Sequence, residues 1–197
     1  MPRPGDRRPL IADRAIAVVA EGGARALTHQ AVDRAAHLAA GSTSYYFRTR
    51  AALVAGVVAR VREHSRSAFE AAAPLRDATI ESAALFMHEQ LSLLVTTRRE
   101  QAVTVFALLP ELTDLPELRD DLSRCLFSPD RAADLLAGLG SAAPDDDARD
   151  LIDYLNGLVM ALLFEGRAAS GPDRRSTQAS IERMLRGCLG GRGRRPS

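Results

Sequence analysis

The stretch that decides the fold is AAGSTSYYFRTRAAL, Ala39–Leu53, in which small residues lead directly into aromatic and basic ones. Gly41 and three hydroxyl residues precede Tyr45–Phe47, and two arginines follow before an alanine- and leucine-rich segment. A helix that enters a DNA major groove, about 12 Å wide, needs small polar residues on the face that meets the base edges. Tyrosine hydroxyls and arginines suit the neighbouring phosphates. The stretch therefore predicts a short DNA-reading helix.

The residues before this stretch predict two further helices. Leu10–Glu21 carries apolar residues at helical spacing and is followed by two glycines that can cap its end. Thr28 is a good N-cap for a second helix that ends near Ala36/His37, and a third helix is expected over residues 39–46. Because the last two helices are short and joined by a tight turn, the three form a helix-turn-helix unit. A long helix begins near Thr49.

The composition of the 197-residue chain favours an all-α fold. The chain is 46% hydrophobic and only 5% aromatic, and it is rich in alanine, leucine and arginine, which enter helices at little cost. The period-two runs of β-branched residues that mark strands are absent from the sequence. No apolar run reaches the roughly 20 residues that a membrane span needs, so we expect a cytoplasmic protein without membrane association.

No motif in the sequence indicates a catalytic, metal or cofactor site. Cys125 and Cys188 lack a CxxC spacing, and we expect them to pack between helices. The four histidines have no inward-facing partner at the i,i+4 spacing of a metal site, and we expect them to be solvated or singly hydrogen-bonded. A G-x-S-x-G nucleophile motif is missing as well. We therefore expect a protein that is not an enzyme and binds neither metal nor cofactor.

Charge is distributed unevenly along the chain, whose formal net charge is +1. Residues 1–50 hold eight arginines and four acidic residues, whereas the remaining residues hold 18 arginines and 21 acidic residues. The excess of positive charge at the N-terminal end indicates that this end faces a polyanion.

The sequence LTHQAVDRAAHLAAGSTSYYFRTRAALVAGVV, Leu27–Val58, resembles the DNA-binding signature of the TetR family of transcriptional regulators. The family pattern has a Leu-Thr opening, a Val-Ala second helix, a Gly-Val turn, a Leu-Tyr-Tyr-His-Phe segment and a basic residue before an Ala-Leu helix. The residues that fall on this pattern in register are Thr28, Val32, Gly41, Tyr45, Phe47, Arg50 and Leu53. The resemblance is close over the first helices and extends to the rest of the chain only in length and helical pattern.

Four positions depart from the family pattern. His37 stands where the turn glycine is usual, so we expect it to adopt a left-handed conformation, which histidine tolerates better than most residues. Ala39 replaces the usual Ser or Thr cap, which predicts a cap weaker by about 1 kcal/mol for the third helix. Ser44 and Tyr46 replace a tyrosine and a histidine, and we expect these changes to alter the operator sequence rather than the fold.

The resemblance implies where DNA would be bound. The second helix would offer Gln30, and the third Ser42 and Ser44, to base edges, since glutamine can pair with adenine through two hydrogen bonds. Thr28, the tyrosines and Arg50 would hold phosphates. The predicted DNA contacts are Thr28, His29, Gln30, Gly41, Ser42, Thr43, Ser44, Tyr45, Tyr46, Arg48 and Arg50.

The remaining residues predict a larger C-terminal helical bundle. Its helices are expected over Ala51–Ala72, Asp77–Thr97, Glu100–Leu109, two pieces within Leu115–Leu139, Ala148–Ala169 and a last segment ending near Leu189. Ser128-Pro129 marks a helix start, and the three aspartates of GSAAPDDDARD are expected in a loop before the next helix. We expect a helix-turn-helix domain over 1–50, a ligand-binding and dimerisation domain over 51–190, and a disordered basic tail over 191–197.

The apolar run LIDYLNGLVMALLFEG, Leu151–Gly166, predicts either a buried core helix or a subunit-interface helix. Because TetR-like proteins dimerise through their last two helices, the resemblance favours an interface. Its predicted members are Leu151, Leu155, Leu158, Val159, Leu162, Ile181, Met184, Leu185 and Cys188.

The middle helices are richer in apolar residues than one amphipathic face needs, which is typical of a small-molecule site. The alternative is an ordinary packed core. The predicted lining residues are Phe86, Met87, Gln90, Leu91, Leu94, Thr104, Phe106, Tyr154 and Asn156. Since no buried arginine or acid pair is evident in these helices, we expect a small, mostly apolar effector that is neutral or weakly charged.

Together these features predict a homodimeric transcriptional repressor that binds a palindromic operator in double-stranded DNA and is released by a small-molecule effector. The alternative is a helical ligand-binding or interaction protein whose DNA-reading function is lost or independent of an effector. The presence of Gln30, Tyr45 and Arg50 argues against such a loss.

Overall fold

A computed structural model describes residues 7–72, 77–164 and 173–190 of the chain. Within these ranges the structure consists of ten α-helices and two short 3-10 segments, with no strand. The all-α fold class predicted from the composition is therefore confirmed. No helix in the described ranges combines the length and the apolar character that a bilayer span requires.

The helix boundaries lie close to most of the predicted ones. The α-helices are α1 (Arg7–Gly22), α2 (His29–Ala35), α3 (Ser42–Tyr46), α4 (Arg50–Ala71), α5 (Ile80–Val95), α6 (Arg99–Leu108), α7 (Pro116–Ser123), α8 (Pro129–Gly138), α9 (Pro144–Phe164) and α10 (Arg174–Gly190). The 3-10 segments are Ala24–Ala26 and Leu109–Leu112. The predicted end of the long C-terminal helix and the predicted basic tail lie outside the described residues.

Four predicted helix starts are wrong by three or four residues. The first helix begins at Arg7 rather than at Leu10, and the fifth begins at Ile80 rather than at Asp77. The third helix begins at Ser42 rather than at residue 39, because the predicted turn is longer than expected. The ninth begins at Pro144 rather than at Ala148, so the three aspartates belong to its first turn and not to a preceding loop. Proline tolerates the first helical position, and carboxylates there stabilise the unpaired N–H groups of the helix start.

Side-chain caps explain where several helices begin. The hydroxyls of Thr28, Thr49 and Ser128 each accept a hydrogen bond from the backbone N–H three residues later, at 3.1, 3.1 and 3.4 Å. Thr79 and Ser82 form a reciprocal pair at the start of α5, in which each side chain accepts a hydrogen bond from the other's backbone N–H. Each such cap contributes on the order of 1 kcal/mol to helix stability.

The chain divides into two compact units, the first of which contains residues 1–72 and 100–125. In this unit α1 packs on α2 and α4, and the buried side chains include Ile11, Val19, Val57 and Val61. The hydroxyl of Thr104 on α6 donates a 3.1 Å hydrogen bond to the carbonyl oxygen of Ile16, which joins α6 to α1.

A polar network reinforces the first unit where α1, α4 and α6 meet. The Arg60 guanidinium donates to both carboxylate oxygens of Asp13, at 2.7 and 2.8 Å, and to Glu63 at 2.6 Å. These hydrogen bonds, that to Asp13 foremost, raise the pKa of Arg60. The ring of His64 lies 3.2 Å from Asp13 through Nε2 and 2.9 Å from the amide of Gln101 through Nδ1. The network therefore fixes α4 against both neighbours.

The second unit contains residues 73–99 and 126–197. Within it α8 packs on α9, and α5 packs on α10. Its fully buried side chains include Leu91, Leu136, Leu151 and Ile181, which come from four different helices. The hydroxyl of Tyr154 on α9 donates a 2.6 Å hydrogen bond to Ser180 on α10.

Candidate nucleic-acid interface

The turn between α2 and α3 contains two residues with positive φ. His37 has φ 52°, which confirms the left-handed histidine predicted from the missing turn glycine, and Gly41 has φ 88°. The end of α2 is closed by the backbone N–H of Leu38, which donates 2.9 Å to the carbonyl oxygen of Asp33. The six residues between α2 and α3 thereby bring α3 against α2.

Asp33 on α2 holds the start of α3 in place. Its Oδ2 accepts the N–H of Gly41 at 2.8 Å, and its Oδ1 accepts the N–H of Thr43 at 2.7 Å and the Thr43 hydroxyl at 2.6 Å. Burial opposes ionisation of this carboxyl, but the three hydrogen bonds outweigh it and lower the pKa of Asp33. The predicted weak cap at Ala39 is therefore wrong: the N-cap is Gly41, and the capping group comes from the preceding helix.

The end of α3 is held by Phe47 and His29. The Phe47 ring is 7% exposed, and its carbonyl oxygen lies 2.7 Å from Nε2 of His29 at the start of α2. The guanidinium of Arg8 lies 5.6 Å from the centre of the ring. His29, a predicted DNA contact, is thus engaged in joining α2 to the end of α3.

Arg50 fastens the start of α4 to the connection between α1 and α2. Its guanidinium donates to the carbonyl oxygens of Leu27 and Ala24, the latter at 3.0 Å, and lies 3.8 Å from the carboxylate of Glu111. The side chain remains 46% exposed. Arg50 therefore has a positioning role that its place in the sequence pattern did not reveal.

The predicted DNA contacts fall into two groups. Thr43 is fully buried and bonded to Asp33, so its side chain positions α3 rather than facing solvent. The exposed or half-exposed members are Thr28, His29, Gln30, Gly41, Ser42, Ser44, Tyr45, Tyr46, Arg48 and Arg50, of which His29 and Arg50 are bonded to backbone carbonyl groups. Tyr45 is 78% exposed and meets the Tyr46 ring edge to face at 5.1 Å between centroids. The exposed group supplies amide, hydroxyl and guanidinium groups, which are the side chains that contact bases and phosphates.

Residues 76–191 match the family model described as Tetracyclin repressor-like, C-terminal domain. This match spans more than half of the chain and lies outside the helix-turn-helix signature. The chain belongs to the TetR family of transcriptional regulators. It is a DNA-binding transcriptional regulator.

Solved structures with the same fold extend this likeness over nearly the whole chain. A TetR-family member from Streptomyces coelicolor A3 is 23% identical, with 90% of this chain and 97% of that chain covered and a TM-score of 0.66. A transcriptional regulator from Rhodococcus sp. Rha1 is 17% identical, with 96% and 99% covered and a TM-score of 0.77. The multidrug binding protein EbrR, complexed with ethidium, is 22% identical, with 92% and 99% covered and a TM-score of 0.66. No curated protein matches the chain.

In this TetR-family chain, most of the predicted dimer-interface residues belong to the core of the second unit. Leu151, Leu155, Val159, Leu162, Ile181 and Leu185 are each at most 8% exposed within one protomer. Leu158, Met184 and Cys188 are half-buried. The large apolar side chains that α9 exposes are instead Met160, at 48%, and Phe164, at 54%.

The predicted ligand-lining residues divide between the two units. On α5, Met87, Leu91 and Leu94 are buried, and Phe86 and Gln90 are half-buried. Tyr154 and Asn156 on α9 are half-buried as well. Thr104 and the half-buried Phe106 belong to α6 in the first unit, where the Thr104 hydroxyl bonds to Ile16.

His88 on α5 departs from the expectation of a solvated or singly hydrogen-bonded histidine. It is 8% exposed. Among the buried side-chain nitrogen and oxygen atoms of the described residues, its Nδ1 is the one without a hydrogen-bond partner. Burial, and then the positive charge of Arg174, lower the pKa of this imidazole. The ring is therefore neutral near pH 7.

The described ranges contain no group of histidine, cysteine and acidic side chains arranged to hold a metal ion. Cys125 is buried and Cys188 is half-buried, and neither forms a disulfide within the described ranges. The Cys125 thiol lies 3.2 Å from the carbonyl oxygen of Asp121, one turn earlier.

Proposed function

We propose that the protein is a homodimeric repressor that binds a palindromic DNA operator through its helix-turn-helix and leaves it when a small, mostly apolar effector binds. The observation that carries this proposal is the exposed polar face of α3, held in place by Asp33, in a chain of the TetR family. A helix held in this way presents its polar groups without further ordering on binding.

The DNA contacts follow from which side chains are exposed. Gln30 and Ser44 are exposed and are assigned to base edges together with the half-exposed Ser42. The two tyrosines and Arg48 are assigned to phosphates. Thr28, which caps α2, is assigned to a phosphate as well. Gly41, the N-cap of α3, is assigned a contact with DNA through its backbone.

We assign residues 1–50 to DNA binding and residues 51–190 to effector binding and dimerisation. An operator dyad requires two heads about one helical turn apart, or a multiple of it, which a monomer cannot supply. The outward face of α9, with Met160 and Phe164, is assigned to the dimer interface along with the half-buried Leu158, Met184 and Cys188. A cytoplasmic location follows from the need to meet chromosomal DNA.

The effector site is assigned to the apolar side of α5 with Tyr154 and Asn156 of α9. Buried apolar side chains with a few polar groups suit a small apolar molecule. EbrR, a solved structure of the same fold, is a multidrug binding protein that was crystallised with ethidium and with malachite green. The effector must bind the off-DNA state more tightly, by a coupling that is typically 1–3 kcal/mol.

Effector release provides the test of this assignment. A DNA duplex selected by the protein is labelled, and its release is followed by fluorescence anisotropy while neutral, mostly apolar compounds that do not themselves bind DNA are added. We expect at least one compound to release the wild type and to lose its effect in Met87→Trp. Leu115→Trp, at an exposed position in the first unit, serves as the control. Equal release of Met87→Trp and wild type, with normal DNA binding in both, would place the pocket elsewhere.

A helical ligand-binding or interaction protein without DNA-reading function is the alternative. It predicts that the same compounds bind while no duplex is retained at any salt concentration. Because sequence-independent DNA binding weakens steeply with salt, retention at low salt and its loss at high salt separate the two functions.

A further inference from the structure

A groove of about 780 Å³ runs over the first unit beside the exposed end of α3. Its lining combines the Phe47 ring with small residues of α4 and with arginines and tyrosines at the surface. The residues that matter here are Arg8, Tyr45, Phe47, Arg48, Ala52 and Gly56. Arg8 belongs to α1, which lies outside the predicted set of DNA contacts.

The absence of a side chain at Gly56 makes room for the Phe47 ring that lines the groove. A Cβ added there would lie 2.4 Å from Cε1 of Phe47, so the ring occupies the space that any larger residue would need. The guanidinium of Arg8 lies 5.6 Å from the centre of this ring, in the range of a cation–π contact. The ring therefore holds one positive charge at the edge of the groove.

Among the described residues that line the groove there are two arginines and no acidic side chain. Within the described part of the chain, neither Arg8 nor Arg48 pairs with a carboxylate. A smaller recess of about 220 Å³ adjoins the groove along α1 and α4 and contains Arg60 and Glu63. There the guanidinium of Arg60 is held by Asp13 and Glu63, so its charge is compensated, whereas Arg8 lines this recess as well as the groove.

We propose that the groove holds the sugar–phosphate backbone of one DNA strand and that Arg8 binds a phosphate there. The proposal rests on the DNA-binding function proposed above and extends the DNA contacts from the helix-turn-helix to α1. The groove is continuous with Tyr45 and Arg48 at the end of α3, so a strand bordering the major groove passes from these residues to Arg8. Apolar groups from Phe47 and Ala52 suit the deoxyribose, and the arginines suit the phosphates.

The test compares Arg8→Gln and Arg8→Lys with Arg14→Gln, a control that removes an exposed arginine of the same helix from outside the groove. Binding is measured from 50 to 300 mM salt on two duplexes, one selected by the protein and one of mixed sequence. We expect Arg8→Gln to weaken binding by a similar factor on both duplexes and to reduce the slope of log K against log salt by about 1.8, because the dimer loses one phosphate contact in each half-site. Arg8→Lys and Arg14→Gln should keep the wild-type slope.

Phosphate ethylation locates the contact directly. One ethylated phosphate at the edge of each half-site should inhibit the wild type and have no further effect on Arg8→Gln. A lower melting temperature and weaker binding of Arg8→Gln at an unchanged slope would mean that Arg8 acts only by stacking on Phe47, and this overturns the proposal. If the wild type binds the selected duplex and Arg8→Gln binds it with the same affinity and salt slope, the Arg8 contact is overturned and the DNA-binding function is not. If the wild type binds neither duplex, the DNA-binding proposal fails as well.

Discussion

The carboxylate of Asp33 takes the place of the capping side chain that α3 lacks. With five residues, α3 is little more than one helical turn long. A helix of this length does not stabilise itself and depends on contacts with its neighbours. One buried carboxylate supplies these contacts by accepting three hydrogen bonds. Charge-assisted bonds of this kind are about twice as strong as neutral ones.

Replacing Asp33 with asparagine should loosen the start of α3. The amide NH2 would face one of the two backbone N–H groups of Gly41 and Thr43, leaving it unpaired. We expect the variant to lose about 1–3 kcal/mol in the free energy of unfolding and to bind every DNA duplex more weakly. Urea unfolding and anisotropy titrations measure both, with Asp134→Asn, an exposed position on α8, as the control.

The same variant should reveal a pH dependence. Because the folded-state pKa of Asp33 is lowered, its contribution is fully present above the pKa of an unfolded aspartate, about 3.9, and is lost as the pH falls through the lower folded-state value. The difference in unfolding free energy between wild type and Asp33→Asn should stay constant from pH 5 to 8 and shrink below about pH 4. A difference that stays constant down to pH 3 would show that the carboxylate charge does not matter.

At residue scale the sequence predicts caps that act locally and misses those that act at a distance. Thr28 and Ser128 are recognisable because a capping hydroxyl lies three residues before the N–H it serves. Asp33 lies eight and ten residues before its partners, and only the geometry of the turn at His37 brings them together. The roles of Arg50 and Arg8 were hidden for the same reason.

At the scale of elements, the contact between α4 and the end of α3 depends on Gly56. Substitution by alanine would force the buried Phe47 ring to move, since the added Cβ would lie 2.4 Å from it. We expect Gly56→Ala to destabilise the protein by about 1–3 kcal/mol despite the better helix propensity of alanine. Gly138→Ala on α8, where nothing lies within 4 Å of the added Cβ, should be neutral or slightly stabilising. Equal melting temperatures for the two variants would contradict this account.

The packing of α5 on α10 should be sensitive to acid through His88. Arg174 opposes its protonation, whereas Glu89 and Asp173 favour it, and burial lowers its pKa overall. In the unfolded chain His88 is protonated near pH 6.5, whereas in the folded chain it is protonated only at a lower pH. The free energy of unfolding therefore falls as the pH drops below about 6.5. We expect His88→Met, which also removes the unpaired Nδ1, to flatten the unfolding free energy between pH 7 and 5. Parallel pH profiles for the variant and the wild type would exclude His88 as the titrating group.

Helix starts were predictable at Thr28, Thr49 and Ser128, where a capping hydroxyl marks them, but not at Thr79 or Pro144, and the face that each helix buries was not predictable. Periodicity identified Leu151–Gly166 as apolar on most sides, and this pattern fits a core helix and an interface helix equally well. The structure places Leu151, Val159 and Leu185 in the core of one protomer. They are buried there because α5, α8 and α10 pack on α9, and α5 also packs on α10. That choice depends on packing between distant segments, which no single segment encodes.

At the scale of the whole molecule, dimerisation should depend on Met160 rather than on the buried leucines. A charge at this 48% exposed position costs one protomer little, but it would be buried without a partner in the proposed interface. We expect Met160→Glu to sediment as a folded monomer and to lose selective operator binding. Leu115→Glu, at a position 42% exposed in the first unit, should remain a dimer. Leu185→Glu should instead unfold the protein, since Leu185 is fully buried. A dimeric Met160→Glu would place the interface elsewhere.

The central claim is that the exposed face of α3 reads DNA as part of a symmetric pair. Its most direct test is the selection of bound sequences from a random duplex library, carried out for the wild type and for a Ser44→Ala, Tyr45→Ala double variant. The account predicts that the wild type enriches a two-fold symmetric motif with half-sites about one helical turn apart, or a multiple of it. The double variant should lose that motif while keeping the wild-type fold. Enrichment of no motif by the wild type, or of the same motif by both proteins, would contradict it.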